Sequence, residues 1–364
     1  MILHRYFARR FLKTFLGVFG VFFLIMVFLD LVEQLRRYSK FDASFTEVLT
    51  LTLLNVPQGI YQILPLIMIL ATIALFLGLS RSSELVVTRA AGRSALMSLV
   101  APLVMALTIG ILAVSFINPI VASTSRQYEA RSDALAGNSA VLSLGASGLW
   151  LRQGDSTGQT VIRAKSANLD GTVLTGVSFI TFTADAGPVR RIEGARAQLV
   201  AGAWRVQNAK SWPLGGDINA ESAATIHATL DIPSSLTASE IRDSFGTPSS
   251  IQIWDLPAFI ERLRAAGFSA QRHEVWLQME LALPLFLVAM VMIGASFTLR
   301  HQRGGRTGLM VLFAILLSFA IYFLRNFAQI LGENGQLPAL LAAWAPPLAA
   351  ITLSLGILLH NEDG

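Results

Sequence analysis

The sequence predicts an α-helical membrane protein with six transmembrane helices, arranged three and three around one soluble β-rich insertion. Three observations carry this. Of 364 residues, 53% are hydrophobic and only 14% charged, where a soluble domain carries roughly a quarter charged residues. Six apolar runs each reach about the 18 residues needed to cross a bilayer. Between the third and fourth runs lie roughly 150 residues of different texture, enough for one domain.

Thr14 to Leu29 is free of charge, and Leu31 and Val32 extend it past Asp30, giving a first helix at about 12–33. Val48 to Ser80 is uncharged, with Pro57 and Pro65 inside; Pro57 is read as the entry to a second helix at about 58–80, behind an interfacial stretch. Ser94 to Ser125 is uncharged, and the third helix is placed at about 96–118, ending before Pro119. Leu281 to Leu299, Thr307 to Leu324 and Gln336 to His360 give the last three, at about 278–299, 307–325 and 337–360. Pro338, Pro346 and Pro347 are tolerated there when neighbouring helices satisfy the freed carbonyls. The resulting division is a first membrane half at 1–125, a soluble domain at 126–273 and a second membrane half at 274–364.

Arg5, Arg9, Arg10 and Lys13 ahead of the first run imitate a secretion signal, but the run is too long for one and no small-residue cleavage site follows. It is read as an uncleaved helix. Basic residues in short loops set orientation. One side carries Arg5, Arg9, Arg10 and Lys13, then Arg81, Arg89 and Arg93, then Arg300, Arg303 and Arg306; the other carries Arg36, Arg37, Lys40 and Arg325. Both termini are therefore expected in the cytoplasm, and the segment from Arg126 to Glu274 outside it. The net charge of +5 belongs to these loops rather than to nucleic-acid binding.

In the insertion, Leu149–Arg152, Thr160–Lys165, Val173–Phe182, Ala197–Ala201, Trp204–Gln207 and Ala223–Leu230 are β-leaning. Asp170-Gly171, Ala186-Gly187-Pro188, Gly202 and Gly215-Gly216 separate them as turns, the pattern of a sandwich or barrel. A short amphipathic helix follows from Asp255, ended by Gly267.

Catalytic chemistry finds little support. There are no cysteines, which removes disulfides, thiolate metal sites and cysteine nucleophiles. None of Lys13, Lys40, Lys165 and Lys210 follows a glycine, so no P-loop exists and the chain is not itself a Walker-type ATPase. His273 and Glu274 are neighbours, and adjacent helical residues diverge by about 100°, which makes them a poor chelate. Asp30 and Glu33 lie three apart; Arg36 or Arg37 can neutralise Glu33, which outweighs an acid–base role. No cofactor is expected in this chain.

Two constellations stand out. In the loop from Ser80 to Ser94, Ser82 or Ser83 suits a helix cap, Glu84 its first turn and Gly92 its end. A short cytoplasmic helix at about 82–93 between two spans is what an ABC permease offers to a separate ATPase; an ordinary interfacial helix fits the pattern equally. Second, Arg36, Arg37, Lys40, Arg126 and Arg131 gather on the side where basic residues are disfavoured. An anionic headgroup would engage them bidentately; snorkelling and pairing with Asp30, Glu33 or Glu129 is the alternative.

The stretch Ser83-Glu-Leu-Val-Val-Thr-Arg-Ala-Ala-Gly resembles the coupling-helix signature of the LptF/LptG lipopolysaccharide permease family. Val32-Glu-Gln-Leu-Arg-Arg, the stretch from Pro57 to Pro65 and the six-span plan are similar too, and Glu84-Leu-Val-Val leans to the LptG branch. The resemblance implies an inner-membrane permease with a periplasmic β-jellyroll-like domain. It implies an LptF-like second permease, an LptB-like ATPase dimer holding ATP and Mg, an LptC-like single-span protein and an LptA-like periplasmic bridge. It assigns ATPase coupling to Ser83, Glu84, Leu85, Val86, Arg89 and Gly92, with Glu84 docking on the ATPase, and lipid phosphates to Arg36, Arg37 and Arg126, with Arg131 beside them. Asp30 and Glu129 depart from relatives that carry basic residues there, and Arg325 occupies a position that can be acidic. Phe15, Phe19, Phe22, Phe23 and Phe28 are candidates for an acyl-chain wall or for packing. The rival readings are a membrane-anchored periplasmic scaffold or receptor, and the permease of another ABC exporter.

Overall fold

The computed structural model describes residues 2–39, 44–90, 95–136, 142–145, 148–155, 158–168, 171–183, 187–214, 219–234, 236–237, 241, 247–265, 269–299 and 307–363. They form two compact units. One comprises Met1–Glu129, Ser249–Trp254 and Gln271–Gly364; the other Ala130–Pro248 and Asp255–Ala270.

The helical unit contains α1 (Ile2–Tyr38), α2 (Phe45–Gln62), α3 (Leu64–Arg81), α4 (Glu84–Ala90), α5 (Ala95–Leu112), a π turn (Ala113–Ile117) and the start of α6 (Asn118–Ala136). Beyond the sheet come α7 (Leu256–Ala265, in the other unit), α8 (Gln271–Thr298), α9 (Thr307–Glu333) and α10 (Ala339–Asp363). Among the described residues, six stretches are long and apolar enough to cross a membrane: Leu3–Tyr38, Leu64–Arg81, Met97–Ser132, Gln271–Thr298, Gly308–Glu333 and Ala339–His360. Along the chain three precede the strands and three follow.

Several boundaries differ from the sequence reading: α1 spans Ile2–Tyr38 where about 12–33 was expected, α8 begins at Gln271 rather than about 278, and α9 runs to Glu333 rather than about 325, because helices continue past the apolar run into polar ends. Two further differences fall at prolines. Pro57 does not begin a helix; it lies inside α2, which starts from a capping box in which Ser44 and Glu47 exchange hydrogen bonds (Ser44 N to Glu47 Oε2 2.8 Å, Glu47 N to Ser44 Oγ 3.3 Å). The break falls instead at Ile63, and Pro65 sits in the first turn of α3, where its missing N–H costs nothing. The third span does not stop before Pro119. It passes through the π turn and continues as α6. Pro119 has no N–H for the Ser115 carbonyl, and the Trp254 indole donates to that carbonyl instead, at 3.4 Å. π turns resolve such an extra residue inside a helix.

The hub is α8, most of whose apolar stretch is buried, whereas those of α1 and α9 are largely open. It packs on α3, α5, α9 and α10. Gly110 of α5 meets Pro284 of α8 so closely that a Cβ there would lie 2.5 Å from the proline Cα. Phe76, Ile67, Met68, Phe286, Leu287 and Met290 fill the core between these helices. Lipid tails are as apolar as these side chains, so what holds the helices together is close van der Waals packing rather than transfer out of water.

The second unit is built on one antiparallel sheet: β1 (Leu142–Gly145), β2 (Gly148–Asp155), β3 (Gly158–Ala164), β4 (Ser166–Ala167), β5 (Val173–Thr183), β6 (Gly187–Val200), β7 (Ala203–Pro213) and β8 (Thr225–Pro233). Its order is β1-β2-β3-β5-β6-β7-β8, with β4 also on β5, so it is a meander. The pairings Leu151–Ile162, Ile162–Phe179 and Phe179–Ile192 align four buried residues across four strands. Trp204, fully buried, pairs with Leu199 and Ile232. β6 begins ten residues earlier than its apolar part, taking in the expected turn at Gly187-Pro188.

Candidate functional site

The short helix α4 grows directly out of α3. Ser82 ends α3, and Ser83 turns the chain in the left-handed region at φ 60°, an uncommon conformation for a non-glycine residue. The Ser82 hydroxyl donates to Glu84 Oε1 at 2.7 Å and to the Gly78 carbonyl at 3.0 Å. Leu85 and Thr88 face inward and are buried, Leu85 within the same core as Phe7, Phe11 and Leu79. Val87 is 68% exposed.

Glu84 is not a free carboxylate. Arg10 of α1 forms an ion pair with Oε1, and Tyr6 donates to Oε2 at 2.8 Å. Arg10 also donates to the Tyr6 hydroxyl at 2.5 Å. Burial opposes ionisation of Glu84, but hydrogen bonds from Arg10, Ser82 and Tyr6 and the Arg10 charge outweigh it and hold the carboxyl below its ordinary range. The first turn of α4 is thus fastened to the start of α1. The Val86 and Arg89 side chains and all of Gly92 lie outside the described residues.

Of the arginine constellation, Arg36, Arg37 and Arg126 lie in the helical unit, and Arg131 belongs to the other unit. Arg36 and Arg37 are exposed in the last turn of α1. Arg36 pairs with Glu33 at 3.4 Å, the i,i+3 partner the sequence offered. Arg37 reaches the Tyr128 hydroxyl at 3.5 Å, and Gln34 donates to the same hydroxyl at 3.0 Å, joining α1 to α6. Arg126 and Arg131 are exposed on α6 and make no ion pair or hydrogen bond among the described residues. Lys40 lies outside them. Asp30 takes no arginine: Asn55 donates to it at 2.6 Å and Gln34 at 3.5 Å. The phenylalanines divide, with Phe15 buried, Phe19 and Phe22 packed against the core, and Phe23 and Phe28 on the open face of α1.

The sequence reading missed a polar centre inside the bundle. Glu280 of α8 is buried and accepts from Tyr61 at 2.5 Å and Asn118 at 3.1 Å. Asn118 in turn accepts the Ile253 amide at 3.0 Å. Its one sequence signal was an acidic residue immediately ahead of the apolar run that begins at Leu281.

The family described as lipopolysaccharide export system permease LptF/LptG matches residues 5–360. The chain belongs to that family. Six apolar helices in a member of the LptF/LptG family make it a multi-pass inner-membrane protein. Among curated relatives, the lipopolysaccharide export system permease protein LptG of Escherichia coli K12 is 21% identical over 370 residues, covering 99% of both chains. The LptG of Haemophilus influenzae Rd is 22% identical over 367 residues, again covering 99% of each. The six apolar helices and the antiparallel sheet are therefore those of an LptF/LptG permease.

Proposed function

We propose that this chain is a transmembrane subunit of a lipopolysaccharide exporter, of the LptG type, which extracts lipopolysaccharide from the inner membrane and passes it to a periplasmic bridge. The observation that carries this is the family match over residues 5–360. The chain performs no bond chemistry. Energy comes from an LptB-like ATPase dimer, which holds ATP and Mg, acting on α4. The other partners are an LptF-like permease, an LptC-like single-span protein and an LptA-like bridge. Both termini and α4 face the cytoplasm, and the sheet unit, as a jellyroll-like domain, faces the periplasm.

The fastening of Glu84 to Arg10 and Tyr6 supports a specific division of labour on α4. The exposed Val87 meets the ATPase, and Ser83, Val86, Arg89 and Gly92 remain the other coupling residues that the family resemblance assigns; Glu84, which that resemblance gives as docking on the ATPase, is read here as the residue that holds α4 to α1. Leu85 and Glu84 tie α4 back to the bundle, so motion at the ATPase is carried into α1 as well as α3. Two discrete positions of a rigid helix are enough to open and close a cavity between two permeases. Arg36 and Arg37, at the other end of α1, meet the lipid A phosphates, with Arg126 and Arg131 as further phosphate ligands. Phe23 and Phe28 meet acyl chains.

Copurification in detergent with the ATPase and the second permease tests this, comparing wild type with Val87→Asp and Glu84→Ala. Loss of the ATPase from Val87→Asp, with Glu84→Ala retaining it but hydrolysing ATP without lipopolysaccharide release, is the expected result. Wild-type protein that recovers no ATPase at all sinks the reading and favours a membrane-anchored scaffold.

A further inference from the structure

The buried Glu280 borders a cavity of about 250 Å³, lined also by Tyr61, Trp276, Tyr322, Arg325 and Asn326. This cavity holds one carboxylate and one guanidinium that do not close on each other: no ion pair within 4.0 Å joins Glu280 and Arg325 among the described residues. Arg325 lies over the Phe286 ring at 5.1 Å. Tyr61 and Asn118 both donate to Glu280 Oε2, leaving Oε1 without a hydrogen bond from the described residues. Pro284 has no N–H to give the Glu280 main-chain carbonyl. The Trp276 indole N–H is buried and likewise without a partner.

Unmatched opposite charges inside a bundle are costly unless something between them answers both. An anion alone would satisfy Arg325 and face a carboxylate; a cation alone would do the reverse. The level of the cavity narrows the choice. The apolar run of α8 begins at Leu281 and that of α9 ends at Leu324, so Glu280 and Arg325 stand at corresponding ends of two antiparallel spans. Trp276, Tyr322 and Tyr61 around them are the residue types of the headgroup belt.

We propose that this cavity is a binding site for a phosphoethanolamine headgroup, its phosphate meeting Arg325 and Asn326 and its primary ammonium donating to Glu280 Oε1. The site is separate from the four arginines assigned to lipid phosphates, and it demands both charges in one ligand. A bilayer phospholipid and a phosphoethanolamine-bearing lipid A carry the same group.

The test uses the full chain in its purified assembly. The assembly is placed in nanodiscs with equal phosphatidylethanolamine, phosphatidylcholine and phosphatidylglycerol, stripped with detergent, and read by native mass spectrometry for retained lipid. Phosphatidylethanolamine should be retained about tenfold over the other two, the worth of one charge-assisted hydrogen bond. Glu280→Gln should abolish its preference over phosphatidylcholine, whose ammonium cannot donate. Arg325→Gln should lower retention of all three, and serves alone if Glu280→Gln does not assemble. Equal retention of the three lipids by wild type, or a preference untouched by both variants, would mean a hydrated ion pair and no site. Competition identifies the source. Displacement by lipid A only when it bears phosphoethanolamine assigns the cargo, and displacement by neither form assigns the bilayer lipid. Displacement by both forms means any anion suffices and overturns the proposal.

Discussion

Arg10 and Glu84, 74 residues apart in the chain, meet as an ion pair that fastens the start of α1 to the first turn of α4. The two side chains are each about one-third exposed, so the pair itself contributes little stability, about 0.2–1 kcal/mol. Arg10→Ala and Glu84→Ala should each lower thermal stability only slightly, and the double variant should cost no more than either alone. A double-mutant cycle on the purified assembly checks this. Fully additive effects would mean that the two residues act apart.

The same pair predicts a pH dependence. Glu84 is held below its ordinary carboxylate range, so the fastening is fully present above about pH 4.3, the ordinary glutamate value, and fades only as pH falls through the lower folded value. A spin-label distance between the start of α1 and α4 should stay constant from pH 8 to pH 5 and lengthen only in stronger acid. Lengthening near neutrality would contradict the geometry.

Arg126 is exposed and unpaired among the described residues, while Arg36 shares its charge with Glu33. Arg126→Ala should therefore weaken lipopolysaccharide capture by roughly tenfold, the scale of one lost charged hydrogen bond, with the melting temperature unchanged. Arg36→Ala should weaken it less. Photo-crosslinking to lipopolysaccharide in the assembled exporter measures both.

Gly110 has no room for a methyl group against Pro284. Gly110→Ala should force α5 from α8 and cost about 1–3 kcal/mol. Gly17 and Gly20 of α1 meet nothing within 4 Å, so Ala there should be neutral or mildly stabilising. Thermal unfolding of the three variants side by side reads the contrast, and equal effects would refute the close approach.

In the sheet, Trp204 is fully buried, yet its indole N–H has no hydrogen-bond partner among the described residues. Trp204→Ala should cost about 3–5 kcal/mol. Trp204→Phe should cost far less than its volume change implies, because it removes an unsatisfied donor. Limited proteolysis of the sheet unit distinguishes them.

The apolar runs were legible because a span must satisfy its backbone internally and present apolar side chains. Prolines were harder. Pro57 and Pro119 read as boundaries because in water they would be, whereas a packed bundle supplies substitutes such as Trp254 for the Ser115 carbonyl. The charged half of β6, with Arg190, Arg191 and Glu193, was not picked out as strand because strand preference reflects a half-buried surface more than the residues themselves. Glu84 was found as a residue but not as a contact: its partners Tyr6 and Arg10 sit in another helix, and pairing across 74 residues leaves no local mark. Glu280 was passed over because a single carboxylate at the edge of an apolar run looks like an ordinary interfacial charge until Tyr61 and Asn118 are seen around it.

The continuation of the third span through Pro119 depends on residues made much later. Trp254 follows Ser115 by 139 positions and Ile253 follows Asn118 by 135. While the ribosome is still translating the strands, the Ser115 carbonyl and the Asn118 side-chain oxygen lack these two donors. That span therefore enters the bilayer with its middle unfinished, and its final geometry is set only after the sheet has been synthesised and the chain returns. Maturation of this helix is a late event in biogenesis, and changes in the 249–254 segment would surface as defects in a helix inserted long before.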